Sequence, residues 1–406
     1  MNDLREYIPI IGQDRVDELF LLAKKLEGRS IQNINSTAVG GGVAEILTRM
    51  MPHLKQLGIS ARWDVLKGNE RFFVITKNIH NALHGVHLDI SKQDWEVFLE
   101  VNRENAADMD LTSDVIFVHD PQPVALIEKR REAGNHWAWR GHVDFSNPYP
   151  PVWNFLSTYV NQYDTAVFSA PSFSRELNIP QALISPSIDP LAEKNKELTN
   201  AEVDRVFAQF GIDRSRPVVT QVSRFDYLKD PVGVIKAYKM AKRYTDMQLV
   251  LAGGGATDDP EGPKVMEDVR REAENDRDIF VLFLPPASDI EINALQRGST
   301  IILQKSLREG FGLTVSEALW KGKPVIASGV GGIPLQIAHK YSGILTHTIE
   351  GTAYWIKQLL NEPAFARRLG INGREHIKTN FLITRHIKDY LLLFLSLFSA
   401  GDIVHL

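Results

Sequence analysis

A chain of 406 residues is longer than one ordinary hydrophobic core requires and has the length of two domains. With 44% hydrophobic and 24% charged residues and a net charge of −4, it has the composition of a soluble globular protein, and no electrostatic reason to bind nucleic acid or an anionic membrane. The absence of cysteine excludes disulfides, thiolate nucleophiles and cysteine-ligated metals, and fits a cytoplasmic protein.

The first fifteen residues, MNDLREYIPIIGQDR, mix charges and hold no apolar core, so no signal peptide is expected. VDELFLLAKKLEG over 16–28 has apolar residues at helical spacing and ends at Gly28. The first strand is expected over 30–36. It runs into Gly40, Gly41 and Gly42 and then a helix over 43–56, the opening of a Rossmann-like unit. The dinucleotide fingerprint G-x-G-x-x-G fails at its sixth position, Glu45, which argues against a nicotinamide cofactor. These glycines either form a tight turn under the helix or bring main chain close to a ligand.

A second strand over 60–66 precedes helices over 70–82 and 93–108. The apolar strand 114–118 then ends in His119-Asp120-Pro121-Gln122-Pro123, and strand 137–140 ends in Gly141-His142-Val143-Asp144. Polar clusters just past the carboxyl ends of parallel strands are where open α/β sheets place ligands. Helix 151–163 and strands 165–169 and 182–185 complete a first domain of alternating elements, hence a parallel sheet covered on both faces. The charged stretch 187–200 lacks a sheet pattern and is read as the boundary, giving domains 1–200 and 201–383. Beyond it, strands at 217–222, 248–252, 279–283, 300–303 and 324–327 alternate with helices at 201–210, 231–244, 263–275 and 290–298. Two such domains in series imply a cleft between them. Helices over 351–360, 364–378 and 384–398 end the chain. The apolar run 390–398 falls short of the ~20 residues that span a bilayer.

Three loops carry the chemistry. Ser223-Arg224-Phe225-Asp226-Tyr227-Leu228-Lys229-Asp230 sets two cations five residues apart before a helix, an arrangement suited to a diphosphate but also compatible with solvated loop charges. Gly253-Gly254-Gly255 follows the strand at 248–252 and reads equally as a simple turn. In LQKSLREGFGLTVSEALWKGKPVI over 303–326, Glu309 and Glu317 flank a glycine-containing helix mouth whose free amides favour a phosphate oxygen. Glu309 beside a phosphate would repel it, so a neutral hydroxyl donor is its expected partner.

The spacing EGFGLTVSE resembles the paired-glutamate motif of retaining GT-B glycosyltransferases of family four, and Arg224 to Lys229 resembles that family's Arg-x-x-x-x-Lys element. Across nearly the whole chain, NSTAVGGGVAEIL, HNALHG, HDPQP, WRGHVDFS, SPSIDPLAEKN, QVSRFDYLKDP and DDPEG are similar to trehalose glycosyltransferring synthases and the related retaining trehalose phosphorylases. The resemblance implies two Rossmann-like doubly wound domains. The first, with a C-terminal crossover helix at about 384–406, would hold the acceptor and the second the nucleotide sugar. It further implies Glu309, Arg224, Lys229 and His142 as catalytic residues. Glu317, Phe311, Gly312, Leu313, Gly253 and Gly254 would bind the donor, Glu317 through the ribose hydroxyls. Gly41, Gly42, Asp120 and Asp144 would lie on the acceptor side, and Gly329, Gly331 and Gly332 would shape the cleft. The implied reaction moves glucose with retention, reversibly, from UDP-, ADP- or GDP-glucose to D-glucose, giving α,α-trehalose. A phosphorylase acting on trehalose with phosphate, or a catalytically silent sugar-nucleotide-binding protein, are the alternatives. No metal ligands are identified; Mg2+ accompanying the nucleotide diphosphate is left open, as are the nucleotide base and a homodimer. Gly141 and the Tyr227-Leu228 pair depart from the pattern of relatives.

Overall fold

The computed structural model describes residues 3–38, 41–130, 134–254, 262–274, 276–285 and 287–399, so Gly40, Gly255 and most of DDPEG lie outside the described residues. Apolar runs too short for helices form two six-stranded sheets, each wholly parallel and covered by helices. The chain divides into two compact units, Met1–Ser187 with Ile383–Leu406, and Ile188–Leu382.

In the first unit the strands are β1 (Ser30–Asn35), β2 (Ser60–Val65), β3 (Val115–His119), β4 (His136–Gly141), β5 (Thr165–Phe168) and β6 (Gln181–Leu183). They lie in the order β2-β1-β3-β4-β5-β6. The order reverses between β1 and β3, where Ile31 to Ile34 pair in register with Val115 to Val118. Helices α1 (Gln13–Lys24), α2 (Gly41–Gln56), α3 (Glu70–Leu83), α4 (Lys92–Asp108) and α5 (Pro150–Val160) connect them. Gly41 and Gly42 are not loop residues, as expected from sequence, but the first turn of α2. A helix start frees the same amides a loop would, so the glycine run did not reveal where the turn begins.

The second unit holds β7 (Val218–Val222), β8 (Gln248–Gly253), β9 (Ile279–Phe283), β10 (Ile301–Gln304), β11 (Val325–Ser328) and β12 (Ile344–Thr346), in the order β12-β11-β10-β7-β8-β9. β7 therefore sits at the centre, and the chain reverses direction across the sheet between β7 and β10. Its helices are α6 (Asn200–Gln209), α7 (Pro231–Lys242), α8 (Gly262–Ala273), α9 (Asp289–Gly298), α10 (Leu313–Trp320), α11 (Ile349–Asn361) and α12 (Pro363–Asn380). One core cluster packs α7 and α11 on the sheet through Ile235, Tyr238, Leu249, Leu303 and Ile356. β12 was not expected, because three residues carry no period.

The division falls at Ser187/Ile188 rather than at 200/201. Residues 193–197 are clasped by the second unit: Asn293 on α9 donates to Glu193 O and Lys196 O at 2.8 Å. Arg297 donates to Asn195 O and Lys196 O at 2.9 Å. The charged stretch read as the boundary is thus held to the second unit by its main-chain carbonyls. Entry and exit of this unit lie side by side, with Ile188 N donating to Phe381 O at 2.9 Å.

The last helix, α13 (Ile383–Phe398), belongs to the first unit, as the crossover implied. Its anchor is Arg140 on β4, which is fully buried. The guanidinium donates to His386 Nε2 at 3.0 Å, Tyr390 Oη at 2.5 Å and Ile184 O at 2.9 Å. Arg385 adds bonds to Ser185 O and Pro186 O, at 2.8 and 3.1 Å. Among the described residues no helix is long and apolar enough to cross a membrane.

Candidate active site

In each unit the site-bearing loops leave the carboxyl ends of the strands flanking the reversal of strand order, where a crevice opens in a doubly wound sheet. In the second unit these strands are β7 and β10. After β7 a one-turn 3-10 helix, Tyr227–Lys229, is capped by the Asp226 carboxylate, which accepts from Leu228 N at 2.7 Å. After β10 the chain reaches Glu309. Leu307 N donates to Leu228 O at 2.7 Å and ties the two loops together. Lys229 Nζ consequently lies 2.6 Å from Glu309 Oε2, across 80 positions of sequence. Ser306 Oγ donates to the same oxygen at 3.1 Å, and Gln304 Nε2 stands 3.5 Å away. The two charged side chains are only 17% and 10% exposed, so solvent screens the pair weakly.

This pairing adds a cation to the neutral hydroxyl donor expected beside Glu309. The repulsion argument omitted a cation: an ammonium between a carboxylate and a phosphate lets both anions occupy one crevice. Arg224 stands apart from the pair, half exposed, with its guanidinium 3.4 Å from Asp226. A second cation, Lys305, is buried and pairs with Asp230, a residue in the left-handed conformation whose carboxylate caps α7 by accepting from Gly233 N.

Glycine shapes this crevice at two places whose positive φ disfavours any side chain. Gly331 has φ +57, and a Cβ there would lie 1.6 Å from Glu309 O. Gly312, φ +81, starts α10, whose first turn has no side-chain cap, leaving amide donors of the kind that suit an anion. Phe311 is buried against Phe381, with ring centroids 5.4 Å apart, so its main chain rather than its ring borders this turn. Leu313 is the first helical residue. Gly253 has a packing reason as well: a Cβ would meet Ser223 O at 1.9 Å, while Gly254 O accepts from Phe225 N at 3.4 Å.

Glu317 lies one turn into α10 and is 2% exposed. Lys194 Nζ is 3.6 Å from its Oε1. Lys321, on the next turn, bonds Asn195 Oδ1 at 3.0 Å, Gln296 Oε1 at 2.7 Å and Glu317 O at 3.2 Å. Burial pushes the Lys321 ammonium well below its ordinary range, and the neighbouring Glu317 charge opposes that. Sequence reasoning missed Lys194, Ser306 and Lys321, although Lys194 sits inside SPSIDPLAEKN and the other two lie within four residues of EGFGLTVSE.

In the first unit the reversal lies between β1 and β3, and it gathers Asn33, His119, Asp120 and, from the end of β4, His142. His119 Nδ1 is 3.0 Å from His142 Nε2, and His119 Nε2 is 3.0 Å from Asn33 Oδ1. Asp120, at φ +67, accepts from His142 N at 2.8 Å. Burial raises its carboxyl to about 7, against the pull of that amide and of Arg140. Burial, and then the Arg140 charge, hold both imidazoles well below their ordinary range, so they are neutral. Gly141 is a glycine because a Cβ would lie 2.4 Å from the Phe145 ring. Asp144 is buried, its carboxylate accepting from Ser146 N at 2.8 Å. Among the described residues no group of three or more His, Asp or Glu is placed to hold a metal ion.

The chain matches the trehalose synthase N-terminal domain over residues 33–175 and the glycosyl transferases group 1 family over 202–376. It is 29% identical over 433 residues to the trehalose phosphorylase of Pleurotus pulmonarius, covering 93% of this chain and 58% of that one. The α,α-trehalose-phosphate synthase (UDP-forming) from Burkholderia xenovorans, solved with glucose-6-phosphate, has the same fold, with a TM-score of 0.75 at 15% identity over 92% of this chain and all of that one. Over 394 residues the chain is 44% identical to the trehalose synthase of Pyrococcus horikoshii, covering 96% of this chain and 95% of that one. Identity at that level along almost the full length of both chains establishes the family: this chain belongs to the trehalose synthases among the group 1 glycosyltransferases, enzymes of the GT-B fold.

Proposed function

We propose that the protein transfers glucose from a nucleotide-glucose to D-glucose, reversibly and with retention, to make α,α-trehalose. The observation that carries this reading is the convergence at the β7–β10 reversal of the Glu309 carboxylate, the Lys229 ammonium and the uncapped start of α10. Lys229 and the helix amides would take the charge that develops on the departing diphosphate, and Glu309 would hold a sugar hydroxyl beside it. Arg224, half exposed on the same loop, would add a fork to the diphosphate oxygens. Glu317, buried beside two lysines, would accept from the ribose hydroxyls.

The bond from glucosyl C1 to the diphosphate oxygen breaks, and a bond from C1 to the acceptor oxygen forms on the same face. The acceptor's proton passes to the departing phosphate oxygen, so no protein nucleophile is required. Mg2+ would accompany the diphosphate as part of the substrate. The test is incubation with glucose and, separately, UDP-, ADP- and GDP-glucose, with the product identified by NMR. A nonreducing α,α-linked disaccharide is expected; an inverted linkage or no disaccharide overturns the reading. The similarity to a trehalose phosphorylase supports a second reading. Trehalose breakdown driven by inorganic phosphate and not by a nucleoside diphosphate would favour it.

A further inference from the structure

The hydrogen bonds around His142 form a chain whose polarity is fixed from one end. Asn33 lies on β1, 1% exposed, and its amide reaches Met51 Sδ at 3.4 Å on one side and His119 Nε2 at 3.0 Å on the other. A thioether has no proton to give, so the amide nitrogen faces the sulfur and Oδ1 faces His119. An oxygen at 3.0 Å requires a proton on His119 Nε2. In a neutral ring that leaves His119 Nδ1 as a lone pair, so His142 Nε2 must be the donor in the 3.0 Å contact between the two rings.

We infer that Asn33 and His119 are positioning residues that lock His142 as its Nε2–H tautomer, so that its Nδ1 presents only a lone pair and selects a ligand that donates an O–H, such as a sugar hydroxyl. Phosphomonoester dianions and carbonyl oxygens, which only accept, are rejected at that atom. The choice of a sugar rests on the proposed transfer reaction; the ring states do not.

The surrounding groups keep the chain neutral. Arg140 on β4 is the cation facing both rings, and Asp120, after β3, spends its oxygen on the His142 amide. From α13, His386 accepts from Arg140 and thus donates through Nδ1 to Ser187 Oγ at 2.9 Å, while Arg385, paired with Asp389, and Tyr390 are further charged and titratable neighbours. Phe117 packs its ring 4.5 Å from that of His119.

The ring nitrogens can be read directly. In the full-length chain with 15N-labelled histidine, His119 and His142 are expected to stay neutral with the proton on Nε2 from about pH 5.5 to 8. A proton on Nδ1 of either ring, or titration near pH 6.5, overturns the inference. In His119→Phe, His142 should lose its fixed tautomer and glucosyl transfer should drop about tenfold or more, the scale of one misplaced hydrogen bond. Nucleoside-diphosphate affinity should be unchanged. His119→Gln, whose amide oxygen accepts the same bond, should recover most of the loss; equal loss in both variants counts against the relay. If the unaltered chain transfers no glucose, the proposed reaction fails, and the nitrogen spectra still decide the tautomers.

Discussion

Lys229 and Glu309 are a pair in which removing either partner has a different consequence. Glu309→Ala leaves a cation that is the more exposed of the two partners, at 17%, so the fold should survive while transfer falls by about a hundredfold to a thousandfold, as for a lost charge-stabilising group. Steady-state kinetics beside a thermal melt check both halves. Lys229→Met strands a 10%-exposed carboxylate and should also destabilise the second unit, by about 2 kcal/mol in urea unfolding. Asp120 makes a pH prediction. Its folded-state pKa of about 7 is above its ordinary 3.8, so the folded chain binds a proton the unfolded chain lacks. The stabilisation is complete below the unfolded value and is lost as pH rises through the folded one. Asp120→Asn keeps an oxygen for the His142 amide and should flatten the fall in melting temperature between pH 4 and 7; an unchanged slope would assign it to other groups.

Elements act by holding these residues at close range, and glycine shows where. Gly331→Ala puts a methyl where Glu309 O already lies and forces φ +57 on an alanine. The loop must move, at a cost of about 2 kcal/mol or more, and transfer should fall with it although residue 331 carries no reacting group. Gly28→Ala is the control: φ +80 but open space, so about 1 kcal/mol of stability should go with kinetics untouched. Alternating strands and helices were legible because buried parallel strands are short apolar runs, and the strand-end loops followed from that order. Asn33 was not legible. It lies among Gln32, Asn33 and Asn35 in one strand, and nothing in SIQNIN says which amide meets a histidine 86 positions away. Lys194 hid in a stretch whose charges mimic a linker, and a three-residue β12 has no period to read. The Glu309–Lys229 contact needed the strand order, which places β10 beside β7 and is not encoded in either loop.

At the scale of the molecule, α13 is the element on which the first unit depends. Without Ile383–Phe398, Arg140 would keep its bond to Ile184 O but lose Tyr390 and His386, leaving a buried cation short of acceptors. A chain ended at Leu382 should lose amide-exchange protection across β3 to β5 while β7 and β8 stay protected; equal loss in both would contradict two separately cored units. The second unit is in effect an insert spliced between β6 and α13, its two ends tied at Ile188 and Phe381. On a ribosome that order matters. The later-made unit has all its strands available once Leu382 has emerged, whereas the earlier-made one must wait, its Arg140 pocket open, for a helix encoded almost four hundred codons downstream of its first residue. During synthesis the nucleotide-binding half, as proposed, would thus mature before the half translated ahead of it, and arrested nascent chains probed by limited proteolysis should show that inverted sequence.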